Sequence, residues 1–511
     1  MNSKTCLIAF CALLTPILRA ELTLPAIIGD HMVLQQKQAN PVWGWDTPGT
    51  KITVSFAGQN LTTTAGDDGK WTVKLAPLPA NANPQAISIS GSSKREIADV
   101  LVGEVWMCSG QSNMGFTLGR GINGDIEGAA SDLPNLRLIK VPQVGTQELQ
   151  KNFKGQWQPS NAASSANFSA VGFLYGRYLH EILKVPVGLI DNSWGGSAAE
   201  AWVRRETLDK EPAFKDLMES TAKQEEKSKA DLEKWQADSE KAKAEGKTAP
   251  KKPENWLTGN HRAGNIFAGV VHPTLGYGIK GVIWYQGESN ADKAFEYRSL
   301  FPFMITQWRK EWGQGDFPFY WVQLADFKAE NPVPGNSAWA ELREAQTLSM
   351  KLPNTGQAVI IDVGEGRDIH PRNKQAVAAR LVRWALVKDY GLNFPYRSPE
   401  FKSLSVSGNT ATVSLDCFGN TLRSFDVNDA RGFTICGEDK VWHPAVGKIK
   451  GADAVEVTSP DVAAPVAVRY AWADNPVCNL YTESNLPVTP FRTDDFEMVT
   501  RPKPPAPAPA N

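Results

Sequence analysis

Apolar and polar side chains alternate in short runs between residues 21 and 100. An alternation with a period of two residues, in segments rich in β-branched side chains, favours strands with one buried face. The strands are predicted at 52–56, 70–75 and 86–90. Turns that contain Gly, Asn, Asp and Pro separate these segments, as is typical of small β modules. Residues 21–100 are therefore predicted to form an N-terminal β module of the sandwich or jelly-roll type.

The pattern changes at about residue 101, where short continuous apolar runs replace the alternation. Strands covered on both faces have this character, and they occur in parallel sheets flanked by helices. The strands are predicted at 104–109, 136–141, 187–192, 281–285, 317–324 and 358–363. Residues 101–395 are therefore predicted to form an α/β domain with a mostly parallel sheet. Its active site is expected beyond the carboxyl ends of the strands.

A helical insertion is predicted within this domain at about residues 206–256. The stretch 215–247 is rich in Lys, Glu, Ala and Gln, with charges that alternate in sign, and this favours a solvated helix over a partner-binding arm. Residues 396–498 return to β character and are predicted to form a C-terminal β module. The Pro/Ala-rich tail 499–511 is predicted to be disordered.

Composition excludes one class of partner. The 511 residues are 42% hydrophobic and 21% charged, with a formal net charge of −1, as expected for a globular protein. A phosphate-binding surface normally needs a basic excess. No nucleic-acid partner is therefore expected. The sequence also has no CxxC motif and no metal-ligand spacing, so neither a metal nor another cofactor is expected.

The N-terminus predicts export. Lys4 precedes a short apolar run at 6–14, and Ala20 suits signal-peptidase cleavage. The run is too short to span a bilayer, so residues 1–20 are predicted to be a signal peptide rather than a transmembrane anchor. The mature protein is expected in the periplasm or outside the cell. Two of three late cysteines could then pair in a disulfide, and the sequence does not choose among Cys417, Cys436 and Cys478.

The first candidate for chemistry is Ser112, in the turn GQSNM at 110–114, directly after a predicted strand. α/β hydrolases place a serine nucleophile in such a turn. The second turn contains Gly195 and Gly196 after strand 187–192. Glycine lets backbone N–H groups approach a ligand closely, and the segment 198–204 can begin a helix, so these N–H groups are candidates for an oxyanion hole.

A third turn, QGESN at 286–290, follows strand 281–285. The side-chain amide of Gln286 or Asn290 would suit an oxyanion hole, since an amide N–H can donate to a developing negative charge. Glu288 is only an acceptor when ionised. It is therefore expected to orient neighbouring backbone.

The fourth turn supplies an acid and a base. His370 follows Asp368, and Pro371 is placed to begin a helix predicted over 372–386. A serine nucleophile needs a base for its proton, and the base needs an acid to hold its tautomer. His370 alone of the six histidines has both a nearby acid and a position at the end of a strand. Asp362 and Asp326 remain alternatives to Asp368 as the acid.

Taken together, the four turns resemble those of the SGNH (GDSL-like) hydrolase superfamily, and within it the sialate O-acetylesterase-like carbohydrate esterases. The matching stretches are 103–114 (GEVWMCSGQSNM), 195–197 with 200–202 (GGS and EAW), 284–290 (WYQGESN) and 368–371 (DIHP). The resemblance extends over most of the mature chain.

The resemblance implies a three-layer α/β/α fold and a Ser-His-Asp esterase with no metal or cofactor. Carried over by motif, Ser112 would be the nucleophile, His370 the base and Asp368 the orienting acid. The oxyanion hole would combine the Ser112 N–H with donors from Gly195 or Gly196 and from Gln286 or Asn290. Substrate contacts are expected from Gln111, Asn113, Trp194, Glu200, Trp284 and Glu288. Trp202 and Tyr285 are further candidates for a sugar platform, because aromatic rings suit sugar faces and the chain has 17 Trp.

The predicted function is a secreted carbohydrate O-acetylesterase, and specifically a sialate O-acetylesterase, that works through a Ser-His-Asp acetyl-enzyme. Its expected partner is an O-acetylated glycan, either sialic acid or a plant or mucin polysaccharide. Acetylated xylan or xyloglucan is the alternative substrate. A non-catalytic carbohydrate-binding protein is an alternative of another class, against which an intact Ser112 and His370 argue. A lipase-like esterase would need an extended apolar cleft, and the polar turns argue against one.

Overall fold

The computed structural model describes residues 21–502 of the chain. The N-terminal region is built of short strands whose alternate side chains are buried. They are β1 (Val33–Gln35), β2 (Asn40–Trp45), β3 (Lys51–Phe56), β4 (Gln59–Thr64), β5 (Lys70–Leu75) and β6 (Asn81–Ser90). β3 pairs with β4 and β6, whereas β2 pairs with β5. The alternation at β3 and β5 buries Ile52, Val54, Trp71 and Leu75, as the sequence pattern predicts.

The next strand joins this region to the α/β domain. β7 (Lys94–Gly110) runs for 17 residues. Its first part pairs with β6, and its last part, from Glu104, pairs with strands of the α/β domain. β7 therefore runs through the predicted boundary at residue 100, and the N-terminal sheet is continuous with the central one.

The central sheet is mostly parallel. Its other strands are β8 (Leu133–Lys140), β9 (Gln158–Ser160), β10 (Val187–Asp191), β11 (Gly281–Tyr285), β12 (Phe319–Val322) and β13 (Thr355–Ala358). The order is β13-β12-β11-β7-β10-β8-β9, and only the pairing of β9 is antiparallel. β7 and β11 lie side by side at its centre. The turns after them are therefore neighbours.

One predicted strand is wrong. The apolar run 358–363 begins where β13 ends, and residues 359–363 are not a strand. These side chains are apolar for another reason: Val359 and Ile361 are buried in the core of the C-terminal module, whereas Ile360 is buried in the α/β domain.

Helices cover both faces of the sheet. They are α1 (Gly124–Ala129), α2 (Ala162–Ala166), α3 (Ala170–Leu183), α4 (Arg205–Lys210), α5 (Lys215–Ala244), α6 (Ala294–Trp312), α7 (Ala338–Leu348) and α8 (Lys374–Lys388). On β7, Trp106 and Cys108 pack in one core with α3 and α8. Val105 and Met107 point the other way, into the core that contains α6 and α7. The predicted three-layer α/β/α fold is confirmed.

The C-terminal region is a second β structure. Its strands are β14 (Glu400–Ser407), β15 (Thr410–Asp416), β16 (Leu422–Ser424), β17 (Ala430–Cys436), β18 (Trp442–Lys450), β19 (Ala454–Thr458), β20 (Ala467–Tyr470), β21 (Leu480–Thr482) and β22 (Phe491–Arg492). Seven of them form an antiparallel sheet in the order β14-β15-β19-β18-β17-β20-β22. The buried Arg343 of α7 donates to the carbonyls of Ala473 and Asp474 and so joins this region to the α/β domain.

The predicted disordered tail begins too early in the sequence, because two hydrogen bonds hold its first two residues. The N–H groups of Val499 and Thr500 donate to the Glu341 carboxylate at 2.8 and 3.0 Å. Hydrogen bonds to a buried carboxylate fix this backbone. The rest of the tail from residue 503, and the predicted signal peptide, lie outside the described residues.

The region of the predicted insertion contains α4 and α5. α5 is 30 residues long, about 45 Å at 1.5 Å per residue, and most of its side chains are exposed. Within residues 21–502 no helix combines the length and apolarity needed to cross a bilayer. The described cysteines Cys108, Cys417, Cys436 and Cys478 are all free, so the structure has no disulfide in this part of the chain.

Candidate active site

Ser112 lies in a tight turn at the end of β7. The turn requires glycine at its start: Gly110 has φ +129°, and a Cβ there would lie 2.2 Å from the Tyr285 carbonyl oxygen. Such a backbone conformation and approach exclude a side chain. The Gln111 carbonyl accepts from Met114 and Gly115 and closes the turn. Ser112 is therefore held, partly exposed, at the carboxyl edge of the central sheet.

His370 meets this serine from a loop that follows β13. Its Nε2 lies 2.8 Å from Ser112 Oγ, and its Nδ1 lies 3.2 Å from Asp368 Oδ1. The Asp368 carboxylate also accepts the His370 backbone N–H at 2.9 Å. That hydrogen bond, more than the charge of the imidazole, lowers the pKa of Asp368. The three side chains form a hydrogen-bonded chain that can remove the serine proton.

The alternative acids are engaged elsewhere. Asp362 pairs with Arg380 through both oxygens, at 2.5 and 2.7 Å. Asp326 accepts the backbone N–H of Gly364 at 2.7 Å. Asp368 is therefore the acid that the fold brings to His370.

The helix after His370 begins later than the sequence pattern predicts. α8 starts at Lys374, because the Asn373 side chain caps it by accepting the Ala376 N–H at 3.1 Å. Pro371 is outside the helix. His370 is consequently held by loop contacts rather than by a helix start.

Gly195 lies directly against the serine. A Cβ on Gly195 would lie 3.4 Å from Ser112 Cβ, so glycine keeps this space open. Within residues 21–502 the backbone N–H groups of Ser112, Gly195 and Gly196 have no protein acceptor. Free N–H groups beside a nucleophile can stabilise an oxyanion. The segment after them forms a single 3₁₀ turn, Ala199–Trp202, rather than the longer helix expected over 198–204.

Gln286 is not free to join them, contrary to the expectation for its amide. Gln286 is fully buried, and its Nε2 donates to Asn290 Oδ1 at 2.7 Å and to the Ser197 carbonyl at 3.1 Å. Asn290 Nδ2 in turn donates to Glu200 at 3.0 Å, and Asn290 Oδ1 accepts the Ala199 N–H. These amides support the glycine turn from behind, and Glu200 is part of that support rather than a substrate contact.

Gln111, rather than Gln286, has a side-chain amide whose N–H donors are unused among residues 21–502. Its Oε1 accepts the N–H groups of Gly287 and Ser289 at 3.3 and 3.4 Å. Its Nε2 has no protein partner within the part of the chain that the structure describes. Gln111 therefore joins two of the four turns and retains hydrogen-bond donors next to Ser112 in sequence.

Comparisons with known proteins identify carbohydrate esterases as relatives of this chain. A family model described as "Carbohydrate esterase, sialic acid-specific acetylesterase" matches residues 242–378. The sialate O-acetylesterase of Mus musculus is 31% identical over 91% of this chain and 93% of its own length. The Homo sapiens sialate O-acetylesterase is 28% identical over 91% of each chain. A solved structure of a carbohydrate acetylesterase from Xanthomonas citri, XAC1771, is 38% identical with a TM-score of 0.80, covering 93% of this chain and all of that one.

The chain belongs to the sialate O-acetylesterase family. It is a carbohydrate O-acetylesterase, and the resemblance seen in the four turns is confirmed. Within its residues 21–502 no group of three or more His, Cys, Asp and Glu side chains forms a metal-binding cluster.

The aromatic residues near the site divide into two classes. Trp202, Trp284 and Tyr285 of the esterase are fully buried, and Trp284 packs edge-on against Trp202 with ring centroids 5.2 Å apart. These rings are core residues, which corrects their expected role as a sugar platform. Trp194, beside Gly195, is partly exposed and remains available to a sugar.

Behind the serine the esterase has a buried polar network that the sequence pattern missed. Lys374 is fully buried, and its Nζ donates to Asn113 Oδ1 at 2.6 Å. Asn113 Nδ2 donates to Glu288 Oε1 at 2.6 Å and to the Ile369 carbonyl at 2.9 Å. Asn113 is buried and its amide is fully used within this network, which corrects its expected role as a substrate contact. Glu288 is partly exposed, and its role as a substrate contact stays a prediction.

A signal for Lys374 does exist in the sequence. The predicted buried face of α8 contains Val377, Leu381 and Trp384. Lys374 continues that face by one turn, because residues three or four apart share a side of a helix. A lysine on the apolar face of a helix is therefore a candidate for burial, although most such side chains extend their ammonium to water.

Proposed function

We propose that the esterase hydrolyses O-acetyl esters of sialic acids through an acetyl-enzyme formed on Ser112. One observation carries the proposal: His370 Nε2 lies within hydrogen-bond distance of Ser112 Oγ, and Asp368 lies behind the imidazole. A serine hydroxyl beside a neutral imidazole is an activated nucleophile.

In the proposed reaction, Ser112 Oγ attacks the acetyl carbonyl carbon while His370 Nε2 accepts its proton. The N–H groups of Ser112 and Gly195 stabilise the oxyanion, each donor contributing about 3–4 kcal/mol in comparable sites. The intermediate collapses, and His370 returns the proton to the departing sugar oxygen. A water molecule then attacks the acetyl-enzyme while His370 accepts its proton. As the bond between Ser112 Oγ and the acyl carbon breaks, His370 gives that proton to Ser112 Oγ, and the acetic acid that leaves ionises to acetate. Asp368 holds the imidazole tautomer throughout.

Two observations support an acidic sugar as the substrate. The curated relatives are named sialate O-acetylesterases. In this chain the exposed Arg120 stacks its guanidinium 4.7 Å over the Phe116 ring, and that ring lies 6.4 Å from the His370 imidazole. Arg120 pairs with no carboxylate within 4 Å among the described residues. A free guanidinium beside the site is suited to the carboxylate of a sialic acid. Acetylated xylan and xyloglucan, which lack that carboxylate, are the alternative.

Export to the periplasm or the extracellular space is part of the same proposal. It rests on the charged, apolar and small-residue pattern of positions 1–20. N-terminal sequencing of protein recovered outside the cytoplasm should begin after Ala20. Recovery of full-length protein in the cytoplasm alone would contradict export.

Replacing the nucleophile tests the mechanism. Ser112→Ala should reduce acetate release from acetylated sugars by about 10⁴-fold or more, as the loss of a catalytic serine does elsewhere. Ser405→Ala, on the exposed strand β14, is the matched control and should keep full activity. Undiminished activity of the Ser112 variant would refute the acetyl-enzyme. Absence of turnover by the wild type on p-nitrophenyl acetate and on every acetylated sugar would favour a binding protein.

Replacing Arg120 tests the substrate. Arg120→Gln should lower kcat/KM for O-acetylated sialic acid by about tenfold, the value of one charged hydrogen bond, while activity on acetylated xylo-oligosaccharides and p-nitrophenyl acetate is kept. Arg431→Gln, exposed on β17, is the control. Equal loss on all three substrates, or higher wild-type activity on xylo-oligosaccharides, would favour a neutral glycan.

A further inference from the structure

Lys374 occupies a position that is costly for a cation. It is the first residue of α8, where the helix dipole disfavours positive charge, and it is fully buried. Among residues 21–502 its ammonium has one hydrogen-bond acceptor, Asn113 Oδ1. The rings of Phe116 and Tyr285 lie 4.8 and 5.2 Å from Nζ. An apolar residue there would avoid the desolvation penalty.

The buried Lys374 orients the side-chain amide of Asn113. A protonated Lys374 can only donate and an ionised Glu288 can only accept, so in these states the two groups fix the orientation of the Asn113 amide between them. Its Oδ1 faces the ammonium, and its Nδ2 faces Glu288 Oε1. Glu288 Oε2 is enclosed without a partner in the described residues. The second Nδ2 hydrogen is thereby directed at the Ile369 carbonyl.

That carbonyl belongs to the peptide group that carries His370. Its oxygen accepts from Asn113, and its N–H donates to Asp368. The C=O and the N–H of this peptide group are therefore both hydrogen-bonded. The N–H is that of His370 itself. Asn113 itself follows Ser112 directly. The amide thus links the backbone of the nucleophile to the backbone of the base.

We propose that Lys374, Asn113 and Glu288 form a positioning network that holds His370 at hydrogen-bond distance from Ser112. The proposal rests on the proposed Ser-His-Asp mechanism. None of the three residues touches the reacting atoms; they act through the peptide group of residues 369 and 370. A shift of about 1 Å in a catalytic group can reduce a rate by 10²-fold.

The pKa values of Lys374 and Glu288 show that burying these two charged groups is unfavourable. Burial lowers the pKa of Lys374 to about 7, against the opposing effect of Glu288. Burial likewise raises the pKa of Glu288. The charged groups that act on Lys374 are Glu288, Glu365, Asp368 and Arg120. Removing Lys374 relieves its desolvation penalty, but it also leaves Asn113 Oδ1 without its donor and Glu288 without a neighbouring cation. These effects oppose each other, so the change in activity rather than the change in stability tests the network.

The test compares Lys374→Met with Lys388→Met, an exposed position on the same helix. We expect Lys374→Met to lower kcat about 10- to 100-fold with KM within threefold, as for loss of positioning. Labelling of Ser112 by a fluorophosphonate should slow by a similar factor. The urea midpoints of both variants are measured so that kcat is compared on folded protein. A kcat within twofold of the control would overturn the proposal.

Coupling within the network gives a second measurement. Glu288→Gln keeps an acceptor for Asn113 and removes the charge, and we expect a smaller loss of kcat than in Lys374→Met. In the double variant the two losses should not multiply, because the residues act through one amide. Fully multiplicative losses would overturn the proposal. Ser112→Ala is measured in parallel: an active Ser112 variant refutes the mechanism, whereas an inactive one beside a fully active Lys374→Met refutes only the network.

Discussion

The two sides of the Ser112 turn differ in their exposure to water. On the open side, Asp368 and His370 keep 57% and 30% of their side-chain surface accessible. On the closed side, Lys374 is fully buried and is bonded through Asn113 to Glu288. The open side has the groups suited to react with an ester. The closed side has a buried lysine that a substrate cannot reach.

This difference separates two uses of charge. An exposed carboxylate is solvated, so Asp368 costs little to keep ionised and contributes mainly through direct hydrogen bonds to His370. A buried charge has a large desolvation cost and strong, directed interactions. Residues on the open side should therefore affect rate alone, and those on the closed side should affect rate and stability together.

The largest expected effect on the open side comes from the base. His370→Ala should lower kcat by about 10⁴- to 10⁶-fold, since removal of a catalytic histidine costs nearly as much as removal of the whole triad. Its urea midpoint should change little. His443→Ala in the C-terminal module is the control, measured by acetate release and urea unfolding. Retention of a tenth of the activity would contradict the role of His370.

A smaller effect is expected for the acid. Asp368→Asn should lower kcat only about 10- to 100-fold, because water can partly replace an exposed carboxylate, whereas loss of a buried triad acid costs about 10⁴. Steady-state kinetics on p-nitrophenyl acetate measure this. A loss of 10⁴-fold would mean that exposure does not weaken this acid and would remove the distinction between the two sides.

On the closed side a pH dependence of stability is expected. An unfolded chain keeps Lys374 protonated up to about pH 10.4, whereas the folded protein releases that proton at about pH 7. Between these values the unfolded state binds more protons, so the free energy of unfolding rises with pH, by up to about 1.4 kcal/mol per pH unit. Below pH 7 the destabilisation by Lys374 is fully present.

Lys374→Met lacks this proton. The difference in free energy of unfolding, variant minus wild type, should therefore be highest near pH 6.5 and should fall as the pH rises towards 9.5, as measured by urea unfolding. A difference between the two proteins that stays constant over this range would show that Lys374 is not a buried, titrating cation.

The smallest expected effect concerns the accessible tryptophan. Trp194→Ala should raise KM about two- to tenfold, equivalent to one aromatic contact of about 0.5–1.5 kcal/mol, with kcat unchanged. Trp194→Phe keeps a ring and should be milder. Trp284→Phe, in the core, should lower the urea midpoint without changing KM. A KM effect at Trp284 would contradict its assignment to the core.

Local pattern is sufficient for part of the fold and of the site. It predicts the strands β10 and β11 to within one residue, since a continuous apolar run bounded by polar turns is typical of a buried parallel strand. Ser112, Gly195, Asp368 and His370 can be found because each occupies a turn after, or a loop beyond, such a run. By contrast, the run 358–363 has the pattern of a strand without forming one, because burial between two modules makes a segment as apolar as a strand.

Roles that depend on partners cannot be predicted in the same way. Gln286 and Gln111 are both amides beside a strand end. Only the packed structure shows that Gln286 Nε2 donates both of its hydrogens, whereas Gln111 Nε2 has no acceptor among the described residues. Trp194 and Trp284 are equally aromatic, but one is at the rim and the other is in the core.

The sequence by itself determined the layered α/β/α fold, the family and the residues able to carry out ester hydrolysis, because periodicity and short motifs are local properties of the chain. Tertiary structure alone decided which of those residues meet. Lys374 and Asn113 are 261 residues apart, and Ser112 and His370 are separated by 258. Contacts over such separations depend on how the turns at the sheet edge pack, and no local pattern records that packing.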